Sequence, residues 1–498
     1  MTSAADERSG EASVDDALPG ARPSAFYRLE NTVQRYDWGS TSAIQDLLGV
    51  VPDGRPAAEL WMGAHPLAPS RVVPDGAAPP AGASRTGAAP AACGTGAGRG
   101  SAAPWGRGGR SLAPPPPRPR GAPPGGPPGR GAPPGGAETA SGTTLADLVR
   151  ADPVGVLGQR VLDQYGPRLP YLLKVLAADR ALSLQVHPRP HLARAGFNRE
   201  NREGVARDSP LRSFHDDQHK PEMVVAVSRF EGLSGFRRPA RILELLDGLD
   251  GALAGRMRDT LRARPTEAGV REAFTLALHA RAEPDVAADL AMTVASVRAR
   301  AEREPAVPAP GGRRTSRRAD ATVLALAEQH PGDPGAVVSL MLNRVTLEPG
   351  ESMFVPSGHV HAYLSGCAVE IMASSDNVLR AGLTSKLVDV DALLECATCT
   401  PGPAARPRLV DDGSGLVAYR PPVAEFALRA GRVAGAVALP AAGPRVVLCL
   451  DGAVTLVADR ADAEAGTRLV RGESVFVPHR TGAVVMRGEG EIVVAFVP

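Results

Sequence analysis

The chain has 498 residues, 43% hydrophobic and 22% charged, with 56 basic side chains against 54 acidic ones and a formal net charge of +2. That balance is ordinary for a soluble globular protein and gives no basis for nucleic acid or an anionic membrane as a partner. The N-terminus lacks the basic start and apolar core of a signal peptide, and no run reaches the ~18 apolar residues of a membrane span. The five cysteines are scattered and odd in number, so the expectation is a cytoplasmic protein without a disulfide framework. The basic residues are biased, because only Lys174, Lys220 and Lys386 are lysines. Where arginine has displaced lysine almost everywhere, a lysine that persists is a candidate for work needing a compact, titratable ammonium.

Residues 1–22 read as a disordered polar tail. Short strand-like runs follow, with an aromatic loop YDWGS at 36–40 and the segment AELWMGAHP at 58–66. From 73 to 137 the composition collapses to Gly, Ala, Pro and Arg, so a disordered, solvated insertion in a surface loop is expected. Order resumes with a helix-like TLADL at 144–148 and an apolar strand over 169–176 that carries Lys174. Residues 182–187 alternate: Leu182, Leu184 and Val186 face one way, and Ser183, Gln185 and His187 face the other. DDQHKPE at 216–222 then leads into a strand with a carboxylate, Glu222, at its mouth.

From 239 to 329 the apolar period changes to 3.6, which predicts a mainly helical block, with a loop over 307–318. Strand character returns at Val337. Here PSGHVHAYLSG predicts a strand from His359 onward, with His359, His361 and Tyr363 on one face. A hairpin turn is expected at Ser365 and Gly366, before a strand that carries Glu370 between Val369 and Ile371. Residues 388–396 read as helical. Cys396 and Cys399 have redox-motif spacing but no second pair, and read as ordinary thiols. LVRGESVFVP at 469–478 repeats the pattern of LEPGESMFVP at 347–356. Five residues past the proline the first copy has His361 and the second has Ala483, while His479 stands alone in a loop. The chain therefore holds two copies of one β unit, and only the earlier one keeps a potential ligand.

Gln185, His187, Glu222 and His361 are the candidate metal ligands, each on or beside a strand. Two imidazoles and a carboxylate are the usual protein share of a catalytic zinc site, leaving a position for water or substrate. A neutral glutamine would add no charge and so preserve the Lewis acidity of the ion.

The segments LSLQVHP, DDQHKPEM, PSGHVHAYLSG and VEIMASSDNVLRAGLTSKLVDV resemble the signature stretches of the type I mannose-6-phosphate isomerase (phosphomannose isomerase) family, as do YDWGS and AELWMGAHPLAPS. The resemblance covers roughly residues 25–72 and 138–498. It implies a mainly β fold with an α-helical insert: a cupin (jelly-roll) catalytic domain at 23–72, 138–238 and 333–405, a helical domain at 239–332, and a second, metal-free cupin-like domain at 406–498. It also implies one Zn2+ per chain, held by Gln185, His187, Glu222 and His361, in a monomer acting on a sugar phosphate. The activity implied is interconversion of mannose 6-phosphate and fructose 6-phosphate through an enediolate, feeding GDP-mannose metabolism. By matched position Arg380 falls on the proposed catalytic arginine, and His219, Lys220, Glu370 and Asp376 line the sugar site. Ser183, Lys174, Lys386 and Tyr363 fall in the substrate neighbourhood. Two departures are the 73–137 insertion and Ser385, where the family has proline.

Isomerisation must move a proton between adjacent carbons and stabilise an oxyanion. Lys220 and Glu370 are rival bases at this stage, Arg380 suits either phosphate or an enediolate, and His219 with Asp376 is a candidate pair for ring opening. A non-catalytic sugar-binding cupin would be favoured by missing ligands, and all four are present. An oxygen-activating cupin prefers iron on two histidines and a carboxylate, and has no use for the Lys/Arg cluster.

Overall fold

The computed structural model describes residues 24–73, 142–303, 316–459 and 466–498. The tail expected at 1–22 and nearly all of the 73–137 insertion lie outside those residues. Among the described residues no helix is long and apolar enough to cross a membrane.

The described strands form two antiparallel sheets, one of ten and one of nine strands. One long strand, His361–Ala373, organises the ten-stranded sheet. Its C-terminal half lies between Tyr171–Ala178 and Glu222–Ala226, with Glu370 opposite Lys174 and Met372 opposite Glu222. Its N-terminal end lies instead between Leu184–Val186 and Phe230–Phe236, with His361 opposite both Gln185 and Ser234. Leu379–Gly382 then adds to Leu184–Val186, placing Arg380 opposite Gln185.

This overturns two local expectations. The strand begins at His361, so His359 lies in the preceding turn. There is no hairpin at Ser365 and Gly366, because the strand runs through them with a register shift between Tyr363 and Ser365. Gly366, at φ +108, makes that passage possible: a Cβ there would sit 2.4 Å from the Arg229 carbonyl oxygen. The glycine is a bulge where the strand passes from one set of partners to another, and not the tip of a turn.

The nine-stranded sheet is built mostly from the chain after Arg408. It also takes in Tyr27–Glu30, which pairs with Ser474–Val477, and Arg71–Val73 beside it. The stretch 23–72, expected wholly in the catalytic domain, is thus divided: Thr32–Gln34 and Glu59–Met62 join the other sheet. A buried apolar layer containing Leu60, Val175, Val369, Tyr419, Phe476 and Val493 lies between the two sheets. The repeated GES motif ends up at the same place in each, leading into Ser352–Val355 in one and Ser474–Val477 in the other.

The helical block comprises Pro239–Leu246, Ala252–Ala263, Glu267–Ala280, Val286–Arg303 and Arg317–Gln329. Arg317 and Arg318, expected in a loop, open the last of these helices; residues 307–315 of that loop lie outside the described residues. The helices' apolar stripes supply Ile242, Leu245, Met257, Phe274 and Val323 to a core that also contains Leu184, Val186, Phe236 and Leu379. The block is therefore packed directly behind the strands that carry Gln185 and Arg380. The whole is the mainly β cupin architecture with a helical insert.

Candidate metal centre

His187, Glu222 and His361 converge, each offering a ligand atom within 4.8 Å of the others', and all three are buried. They are brought together by the neighbours of a single strand, since Glu222 opens one adjacent strand and His187 directly follows the other.

The hydrogen bonds fix the tautomers. The His187 Nδ1–H donates to the Asn377 carbonyl at 2.6 Å and the His361 Nδ1–H to the His359 carbonyl at 3.1 Å, because a carbonyl only accepts. Each ring thus presents an unprotonated Nε2 to the Glu222 carboxylate, at 3.0 Å from Oε1 and 3.3 Å from Oε2. Both Nε2 atoms are buried without a hydrogen-bond partner. Two nitrogen lone pairs and a carboxylate facing one another out of water repel unless a cation lies between them. Burial also pushes the His187 imidazole down to about 4, so it stays neutral as a ligand must. The donor set fits Zn2+.

Gln185 lies directly across from His361 and on the same face of its strand as His187. Glu222 is held from behind. Tyr363 donates its hydroxyl to Oε2 at 3.2 Å, and the Lys220 ammonium lies 3.0 Å from Oε1. Burial opposes the charge on Glu222, but His187 and the Lys220 ammonium beside it, with the His361 ring, outweigh that and hold it well below the usual carboxylate range. Tyr363, expected at the substrate, is almost wholly buried and its hydroxyl is spent on this carboxylate.

Beside this centre lies a second buried charge cluster. Lys174 sits 3.4 Å from Glu370 and 3.5 Å from Glu59, over the ring of Trp61 at 4.9 Å, while the Trp61 indole N–H donates to Glu59 at 2.6 Å. Burial pushes the Glu370 carboxyl up to about 7; the charge of Glu222 adds to this and Lys174 opposes it. For Lys174, burial disfavours the charge, but Glu59 and Glu370 prevail and keep the ammonium protonated.

The expected His219–Asp376 pair is not built. His219 Nε2 lies 2.7 Å from Glu425, and Asp376 instead lies 3.3 Å from His65 Nε2. His65 is buried, and its Nδ1 accepts the Leu67 N–H, so its Nε2–H faces Asp376. Asn377, next in sequence, is tied by its amide to the Asp216 and Gln218 carbonyls, which fixes the carbonyl that receives His187.

Arg380 and Lys386 have no ion-pair or side-chain hydrogen-bond partner among the described residues. Burial lowers the Arg380 guanidinium, and burial together with Arg380 itself lowers the Lys386 ammonium. Ser183 lies just outside the Leu184–Val186 strand, half-buried.

Glu59, Trp61, His65 and Asn377 had no assigned role in the sequence reading. The alternation in AELWMGA puts Glu59 and Trp61 on one strand face, a usable signal. Asn377 acts through its backbone oxygen, which no side-chain pattern reports. Among the described residues no second cluster of potential ligands occurs. His479 accepts the Gly443 N–H at 3.0 Å, a structural bond. Cys396 and Cys399 are buried free thiols, both pushed up by burial to about 12 and about 11.

Residues 26–78 and 130–239 match the phosphomannose isomerase type I catalytic domain. The chain is 30% identical over 470 residues to the mannose-6-phosphate isomerase of Salmonella typhimurium, covering 93% of this chain and 98% of that protein. It is 29% identical to the Escherichia coli mannose-6-phosphate isomerase with the same coverage. The crystal structure of the Salmonella typhimurium mannose 6-phosphate isomerase bound to its substrate, f6p, and zinc superposes with a TM-score of 0.72 at 27% identity. That superposition spans 95% of this chain and 100% of the other.

Proposed function

The chain belongs to the mannose-6-phosphate isomerase family, and on that premise we propose that it is a zinc enzyme interconverting mannose 6-phosphate and fructose 6-phosphate. The observation that carries this is the pair of unprotonated Nε2 atoms turned on Glu222. When bound, zinc supplies Lewis acidity toward a carbonyl or hydroxyl oxygen of the sugar.

The chain's own residues divide the remaining work. Glu370, a buried carboxyl poised near neutrality, takes the proton from one sugar carbon and returns it to the next, giving an enediol-type intermediate. Lys220 is the weaker candidate for that step because its ammonium is committed to Glu222 at 3.0 Å. Lys174, locked between Glu59 and Glu370, keeps Glu370 from becoming a permanently protonated acid. Asp376, oriented by His65, serves the ring oxygen and hydroxyls during ring opening. Arg380, one strand from Gln185, reaches the reacting end of the sugar, while Lys386 at the rim takes the phosphate. The product feeds mannose and GDP-mannose metabolism.

A coupled assay of the zinc-loaded protein tests the reading. Mannose 6-phosphate should be converted to fructose 6-phosphate, and glucose 6-phosphate should be turned over far more slowly. Absence of turnover with mannose 6-phosphate would refute it.

A further inference from the structure

The segment between Arg380 and Lys386 carries both cations assigned to the substrate, and its backbone is held in a conformation it would not choose alone. Leu383 has φ +54 and is the only non-glycine with positive φ among the described residues. Its side chain is buried in the core shared with the helical block, against Gly335, where a Cβ would approach Leu383 Cγ to 2.9 Å. The residue that follows is gripped at both of its backbone polar groups. Arg281, at the end of helix Glu267–Ala280, donates one guanidinium nitrogen to Asp333 Oδ2 at 2.6 Å and the other to the Thr384 carbonyl. Asp333 Oδ2 accepts the Thr384 N–H at 3.3 Å, and its Oδ1 accepts the Gly335 N–H at 2.8 Å. Thr384 Oγ1 then accepts the Lys386 N–H at 3.1 Å.

We propose that Arg281 and Asp333 are positioning residues through which the helical block fixes Lys386 at the rim of the substrate site. The inference rests on the role proposed above for Lys386. The clamp comes entirely from outside the sheets, touches no metal ligand, and ends on the backbone of the loop two residues before Lys386. A cation already ordered binds a phosphate without the entropic cost of ordering the loop, so the clamp should act on substrate binding and leave the chemical step alone.

The test is a double-mutant cycle on the full-length zinc enzyme with mannose 6-phosphate. Arg281→Ala should raise KM by about ten-fold with kcat changed by less than about two-fold and zinc content unaltered. Lys386→Ala should raise KM as well, and the double variant should be no worse than Lys386→Ala alone. Arg281→Lys, which keeps the charge but not the fork that spans Asp333 and Thr384, should fall between wild type and Arg281→Ala. Asp333→Asn gives the same reading if Arg281→Ala does not fold. If Lys386→Ala raises KM and the clamp variants do not, or if the effects of Arg281→Ala and Lys386→Ala simply multiply, the positioning role is wrong. If Lys386→Ala itself leaves KM unchanged, the Lys386 assignment fails and the clamp proposal falls with it.

Discussion

Replacing Lys174 with methionine should move the acidic limb of the pH–activity profile upward. Lys174 Nζ lies 3.4 Å from Glu370 Oε2, and both groups are buried. Unit charges at that distance interact by about 5 kcal/mol at an effective dielectric constant of about 20, which is roughly 3–4 pK units. Repacking and water entry around the variant recover much of this, so a shift of about one unit is the smallest consistent with the geometry. Methionine nearly preserves the volume and removes only the charge. A bound dication lowers Glu370 in both proteins, so the observable is the difference between them and not the absolute position. The assay is kcat/KM for mannose 6-phosphate on zinc-loaded wild type and Lys174→Met from about pH 5.5 to 9. The variant will be slower throughout, and its acidic limb should lie at least about one unit higher. An acidic limb that does not move would refute Glu370 as the titrating base.

Tyr363→Phe removes the 3.2 Å donor to Glu222 without changing the packing, and should weaken zinc binding by about ten-fold; competition with a chelating dye measures this, and unchanged affinity would remove the hydroxyl from the site's support. Arg380→Lys should fold and retain zinc yet lose about ten-fold or more in kcat, because a point charge cannot replace a planar fork; near-wild-type turnover would take Arg380 out of the reaction. In the metal-free protein, burial of neutral His187 sets its value at about 4, below the ordinary 6.5. Its contribution is therefore complete above about pH 6.5 and is lost as pH falls toward 4, by about 3 kcal/mol. Denaturant melts of wild type and His187→Phe should converge over that window, and parallel losses would contradict it.

The parts of the site that were legible from sequence are those written in side-chain alternation. Gln185 and His187 share a face because their strand alternates without a fault; Gln185 lies across from His361, and His187 does meet His361 and Glu222. The helical block declared itself through its 3.6 period down to its last residue, Gln329. The errors came where the backbone departs from a simple rule. Ser365 and Gly366 look like a turn, yet a glycine with positive φ serves a bulge equally well, and only the partner strands decide between them. Tyr27–Glu30 joined the far sheet because strand pairing across more than 400 residues leaves no local trace. His219 and Asp376 each carry a chemically sensible partner in Glu425 and His65, and nothing in their own segments says which acid meets which base.

The central claim is that His187, Glu222 and His361, with Gln185, hold one catalytic zinc. It is tested most directly by titrating zinc into metal-stripped wild type and Glu222→Ala while following bound metal by elemental analysis and isomerase activity on the same samples. Wild type should regain activity in proportion to zinc and saturate at one ion per chain, and Glu222→Ala should keep its fold while binding little zinc and converting no mannose 6-phosphate. Full activity in the stripped wild type, saturation at two ions per chain, or an active Glu222→Ala would contradict it.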